Sequence, residues 1–196
     1  MIDIQKAKSR NGLIRQLGKL GKSAGTVSGI RKRDTVSKEA YIIRRYLLWR
    51  IEIGDVGYPI SIRQRDAPDF IIIEAGDKFG IEFTEATDQQ SGQLYNDPDW
   101  EYLPDALGGP VTSGVVDNVI SHIRDALKRK SEKEYAGQYT DLIIYPNSPD
   151  RMAIGLFGNI KNKWNETVLN AEYDVSAFRN VYLFWYENEC KFELIK

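Results

Sequence analysis

The chain has 196 residues, 42% of them hydrophobic, enough to bury one good core, and it reads as a single domain with extensions. Its single cysteine, Cys190, excludes an internal disulfide and a zinc site built on cysteines alone. Apolar runs such as 71–73 and 142–145 are far too short to cross a membrane, and the start does not read as a signal peptide. The expectation is a soluble cytoplasmic protein with no membrane partner.

Net charge is only −1 at pH 7, but it is unevenly spread. Residues 1–50 carry 13 Lys and Arg against 3 Asp and Glu, whereas residues 51–150 carry 8 against 19. A basic arm joined to an acidic centre suits an enzyme of nucleic acids, the arm meeting phosphates while the acids hold metal. The plainer alternative is a solubilising tail beside an ordinary acidic domain.

Residues 1–34 are basic and punctuated by glycine. Leu13, Ile14, Leu17 and Leu20 have helical spacing, so a short amphipathic helix is expected there. Gly18, Gly21, Gly25 and Gly29 make the rest a flexible linker, and the whole reads as a basic, partly flexible N-terminal extension to a domain over 35–196. Lys19, Lys22, Arg31, Lys32 and Arg33 are its candidate nucleic-acid contacts. Gly21-Lys22-Ser23 is not a phosphate-binding P-loop, because Gln16 stands where the earlier glycine is required and no buried strand precedes it.

Ser37 is a good N-cap for a helix from Lys38 to about Ile53, with Ala40, Ile43, Leu47 and Ile51 on its apolar face. Residues 58–65 alternate apolar and polar and read as a strand, placing Gln64 and Asp66 close to the hairpin at 70–83. In that hairpin the stretches 67–73 and 80–87, rich in isoleucine and phenylalanine, flank a short polar loop at 74–78. Asp69 stands where the first strand begins, while Glu82 and Glu85 lie inside the second. Alternation puts Glu82 and Thr84 on one face and Ile81, Phe83 and Glu85 on the other. Paired this way, Asp69 and Glu82 approach each other. Two carboxylates on an apolar hairpin repel unless neutralised, and a divalent cation would do that. The plainer alternative has Asp69 capping a turn and Glu82 paired to an arginine.

Residues 88–114 form a long connection holding Tyr95, Trp100 and Tyr102 among acidic residues, expected to act as a lid or as a partner-binding loop, including for a second copy of the chain. Val119, Ile120, Ile123, Ala126 and Leu127 belong to a helical stripe running to about Tyr135, with Arg124, Lys128, Arg129 and Lys130 towards its C-terminal end. His122, the only histidine, is read as structural. Residues 140–146 form a buried strand after this crossover helix, a helix is expected around 160–169, and strands around 180–186 and 191–195.

Pro68-Asp69, then Glu82-Phe83-Thr84 after a short hairpin, resembles the signature of the PD-(D/E)xK nuclease superfamily, and the strand, hairpin, helix, strand order over about 58–145 resembles its core. One residue departs from the pattern: Thr84 stands where the family has lysine. The resemblance implies an α/β, restriction-endonuclease-like mixed sheet flanked by helices. It implies an Mg²⁺-dependent (or Mn²⁺-dependent) nuclease that cleaves phosphodiester bonds of DNA or RNA. Asp69 and Glu82 would ligate the metal with the backbone carbonyl of Phe83, Thr84 would take the lysine's place in catalysis, and Glu39 would be the first-helix glutamate. Thr84 can orient water but brings no positive charge, so another cation, with Arg63, Lys78, Arg124 and Lys128 as candidates, would have to supply it. The alternatives are a catalytically inactive binding module of the same fold, acting in a nucleic-acid or defence-related protein complex, and a protein-interaction domain using the acidic aromatic loop.

Overall fold

The structure, a computed structural model, describes residues 2–24, 35–87, 113–133, 139–146, 175–186 and 190–194. Among these residues the elements run β1 (Asp3–Ala7), α1 (Arg10–Ala24), α2 (Thr35–Glu52), β2 (Ile60–Gln64), β3 (Phe70–Glu74), β4 (Asp77–Ala86), α3 (Ser113–Ser131), β5 (Thr140–Pro146), a 3₁₀ turn (Val175–Ala177), β6 (Val181–Tyr186) and β7 (Cys190–Leu194). The seven strands make one mixed sheet in chain order, an α/β architecture. By its internal contacts the chain forms two compact units, one of Met1–Phe83, Tyr135–Leu142 and Phe178–Asn180, the other of Thr84–Glu134, Ile143–Ala177 and Val181–Lys196. Of the segments read from sequence, residues 88–112, the helix around 160–169 and the basic cluster Arg31, Lys32 and Arg33 lie outside the described residues, as does the side chain of Lys22.

In the first unit, β1 to β4 pair antiparallel throughout. Ile4, Ile62, Ile72 and Phe79 are successive partners across the four strands and at most 3% exposed. Each such side chain taken from water contributes about 1.5–3 kcal/mol. Ile2, Ile4, Ala7, Leu13 and Leu17, within the basic N-terminal stretch, are buried. β1 is an edge strand among the described residues, with Ile4 and Ala7 buried and Ile2 buried just before it, and α1 buries Leu13 and Leu17 completely. Ser9 caps α1, accepting from the Gly12 N–H at 3.3 Å, and the Arg44 side chain donates to the Leu17 carbonyl at 3.1 Å, fastening α2 to α1.

Helix α2 begins at Thr35, earlier than the Ser37 cap suggests. It is tied to the buried face of the sheet at both ends. Near its start Glu39 accepts from the Gln64 side chain at 3.1 Å, and near its end Arg50 makes a bidentate pair with Glu74 at 2.7 and 3.0 Å. Burial by itself lowers the Arg50 pKa, but Glu74, with Tyr46 and Asp55, more than offsets this, so it is raised and the guanidinium stays charged. The hairpin loop is tighter than its polar stretch suggests: Glu74 pairs with Asp77, and Ala75 and Gly76 alone make the turn, both at positive φ.

Asp141 opens β5 fully buried. It accepts from the Arg179 guanidinium at 2.8 and 2.6 Å, from Asn180 at 2.9 Å and from the Tyr46 hydroxyl at 3.1 Å. Arg179 lies over the Phe79 ring at 3.7 Å. In the second unit, α3 buries Val119, Ile120, Ile123, Ala126 and Leu127, and Phe184 stacks on Phe192 of the β6–β7 hairpin at 4.7 Å. No helix among the described residues is long and apolar enough to cross a membrane.

Candidate functional site

The β3–β4 register decides which residues meet at the open end of the hairpin. Phe70 is opposite Ile81, so the next pair outward is Asp69 with Glu82. On the other side the Arg65 N–H donates to the Asp69 carbonyl at 2.8 Å, carrying the β2–β3 ladder one step past Gln64 and Phe70. Arg65, Asp69 and Glu82 thus occupy one row across three strands.

Two hydrogen bonds lock that row. The Phe83 N–H donates to Asp69 Oδ2 at 2.7 Å, and the Asp69 N–H donates to Glu82 Oε2 at 3.3 Å. Each carboxylate is thereby oriented by the backbone of the strand opposite it. Glu82 is 4% exposed and Asp69 is half-buried. Pro68 allows the approach by lying flat on Gly80: a β-carbon there would come within 2.5 Å of Pro68 Cγ and 2.8 Å of Thr140 Oγ1. No real side chain fits that space, so glycine at 80 is what lets the Pro-Asp bend close onto β4.

Asp69, Glu82 and the backbone of Phe83 are therefore brought together. Thr84 is buried on the same pleat face of β4 as Glu82, within the stretch assigned to the second unit. Glu39 accepts from the Gln64 side chain at 3.1 Å, and the Gln64 side-chain oxygen accepts from the Ile2 N–H at 2.9 Å while the Gln64 N–H donates to the Ile2 carbonyl at 2.9 Å. Among the described residues, no group of three or more His, Cys, Asp or Glu is placed to hold a metal. The pair is thus a two-carboxylate site. Mg²⁺ suits such a site, because it is commonly held by one or two carboxylates and keeps several waters.

Of the cations named from sequence, Lys78 and Arg63 stand in other rows of the sheet than the pair. Lys78 is four residues back along β4 from Glu82, about 13 Å at strand rise. Arg63 is one row away, opposite Ile71. Lys128 and Arg124 belong to the second unit. The cation at the right row is Arg65, which local spacing does not single out. Its position comes from counting the pairing outward from the hairpin turn, so the signal is present in the sequence but needs the strand register to be read. Lys19 is exposed on α1.

Compared with protein-family models, with curated proteins and with solved structures, the chain finds no match.

Proposed function

We propose that the protein is a metal-dependent nuclease with a restriction-endonuclease-like core, hydrolysing phosphodiester bonds of DNA or RNA. The observation that carries this reading is the crossed pair of hydrogen bonds, Phe83 N–H to Asp69 and Asp69 N–H to Glu82, which converges two carboxylates where the Pro-Asp and Glu-x-Thr residues meet. The order α2, β2, β3, β4, α3, β5 supports it as well.

Asp69 and Glu82 would hold Mg²⁺ or Mn²⁺. In a strand the N–H and C=O of one residue point to the same side, so the Phe83 carbonyl is directed towards Asp69 and would serve as a further oxygen ligand. When bound, the ion supplies an acidified water and stabilises the leaving oxygen. The chain's own contribution is to aim the two carboxylates through the backbone N–H groups of Phe83 and Asp69. The Thr84 hydroxyl would orient water. The basic first 33 residues, Lys19 among them, would add phosphate contacts.

The test is cleavage of a labelled oligonucleotide, DNA and RNA in parallel, with Mg²⁺, with Mn²⁺ and with chelator. Activity that needs the metal and falls to the chelated background in Asp69→Asn and in Glu82→Gln, with the circular dichroism spectrum unchanged, is the expected result. Thr84 in the lysine position favours a second reading, a nuclease-like fold that binds without cutting. It predicts metal-independent binding that Asp69→Asn leaves intact, and no cleavage under any condition.

A further inference from the structure

The face of β1–β4 turned away from α2 is open over part of its extent. It forms a shallow trough of about 470 Å³, floored by Ile71 and Ile73 and edged by Lys6, Arg63, Arg65 and Lys78. The four cations are exposed, and among the described residues none of their side chains makes an ion pair or hydrogen bond. Asp3 is the one acid lining the trough. Ile73 is 45% exposed, large for an isoleucine on a sheet, so this face is not finished as a core.

The pleat fixes how the trough relates to the carboxylates. Ser61, Ile73 and Lys78 make one row across three strands, and Arg63, Ile71 and Gly80 the next. Arg65, Asp69 and Glu82 make the third, by the Arg65 to Asp69 backbone bond and the register beyond Phe70 and Ile81. Residues two apart on a strand share a face, so all three rows stand on one side of the sheet, about 6.7 Å apart. Opposed residues have β-carbons about 5 Å apart, which sets Arg65 beside Asp69. The cations therefore lead along the sheet to the acidic pair.

We propose that this trough is the track for one nucleic-acid strand, gripped through its phosphates by Arg63, Arg65 and Lys78 and delivered at Arg65 to the Asp69–Glu82 pair. The inference rests on the nuclease reading for the chemistry at the pair, while the track itself is a binding surface. The occupant is a polyanion by charge complementarity. It is held by backbone rather than read by base, because among the described residues the trough offers arginine, lysine and isoleucine and no aromatic ring for stacking.

Binding of a fluorescent single-stranded oligonucleotide is measured by anisotropy in chelator, so that cutting cannot intervene, over a range of salt. The triple variant Arg63→Ala/Arg65→Ala/Lys78→Ala should bind about a hundredfold more weakly at 0.1 M salt and lose about 2 from the log–log salt slope, at about 0.7 per phosphate contact. The three substituted side chains are exposed, and the thermal midpoint of the triple variant, expected unchanged, checks that it folds. Unchanged affinity and slope in the triple variant would overturn the track even if the wild type cleaves. So would equal displacement of the oligonucleotide by polyglutamate at matched charge, which would mark a face for acidic proteins. Weakened binding with no metal-dependent cleavage in the wild type would leave the track standing and remove the nuclease reading instead.

Discussion

The β3–β4 hairpin carries acids at both ends, and the two ends treat them differently. At the turn, Glu74 is 9% exposed and meets the Arg50 guanidinium on two oxygens, with the Gly57 N–H also donating to it. At the open end, Asp69 and Glu82 receive the N–H groups of Phe83 and Asp69. A guanidinium cancels a carboxylate's charge and makes it part of the architecture. A peptide N–H aims a carboxylate and leaves its charge in place. The same residue types on one hairpin are thus gripped by a guanidinium at one end and aimed by backbone N–H groups at the other.

The sharpest way to break this contrast is to measure stability at each end. Glu74→Ala removes the bidentate partner of the buried Arg50 guanidinium, leaving it the exposed Asp55, and should cost about 3–5 kcal/mol by urea unfolding. Asp69→Asn relieves like-charge repulsion and should shift stability by less than about 1 kcal/mol in the absence of metal. Equal losses at the two ends would make the open end architecture too. Next in size is ligand linkage. Mg²⁺ at about a hundred times its Kd should stabilise the wild type by about 2.7 kcal/mol and leave Asp69→Asn/Glu82→Gln unmoved. Gly80→Ala should cost about 1–3 kcal/mol by forcing Pro68 off β4, and should lower metal-dependent cleavage more than its stability loss explains. The smallest effect belongs to Glu39→Gln, within about 1 kcal/mol in stability and neutral for cleavage, because Glu39 is engaged with Gln64. A large loss of cleavage there would bring the helix glutamate back into the site.

Much of this is legible from local pattern. The two apolar runs with their polar break give the hairpin, and alternation along it is enough to bring Asp69 towards Glu82. The buried run at 140–146 and the stripe of α3 are equally plain. Three features need long-range pairing. Ile2, Ile4 and Ala7 make too short an alternation to stand out among Lys6, Lys8 and the glycines beyond them, so β1 is hidden inside an apparent basic arm. Arg65 gains its place only from the β2–β3 register. Asp141, with Tyr46 some 95 residues before it and Arg179 38 after it, is a buried polar cluster that no local spacing announces. Pairs so distant in sequence leave no periodic trace, because only the closed sheet sets them side by side.

The contact of Pro68 with Gly80 reaches beyond this one chain. A proline folded over the neighbouring strand leaves room for a hydrogen atom and nothing larger, so the Pro-Asp dipeptide carries a third letter twelve residues on, two before the glutamate. Chains sharing this bend should vary these positions together: a side chain at 80 needs room from both Pro68 and Thr140. Pro-Asp followed by Gly-x-Glu is thus a stricter search pattern than the acids alone, and it is set by van der Waals radii instead of by chemistry.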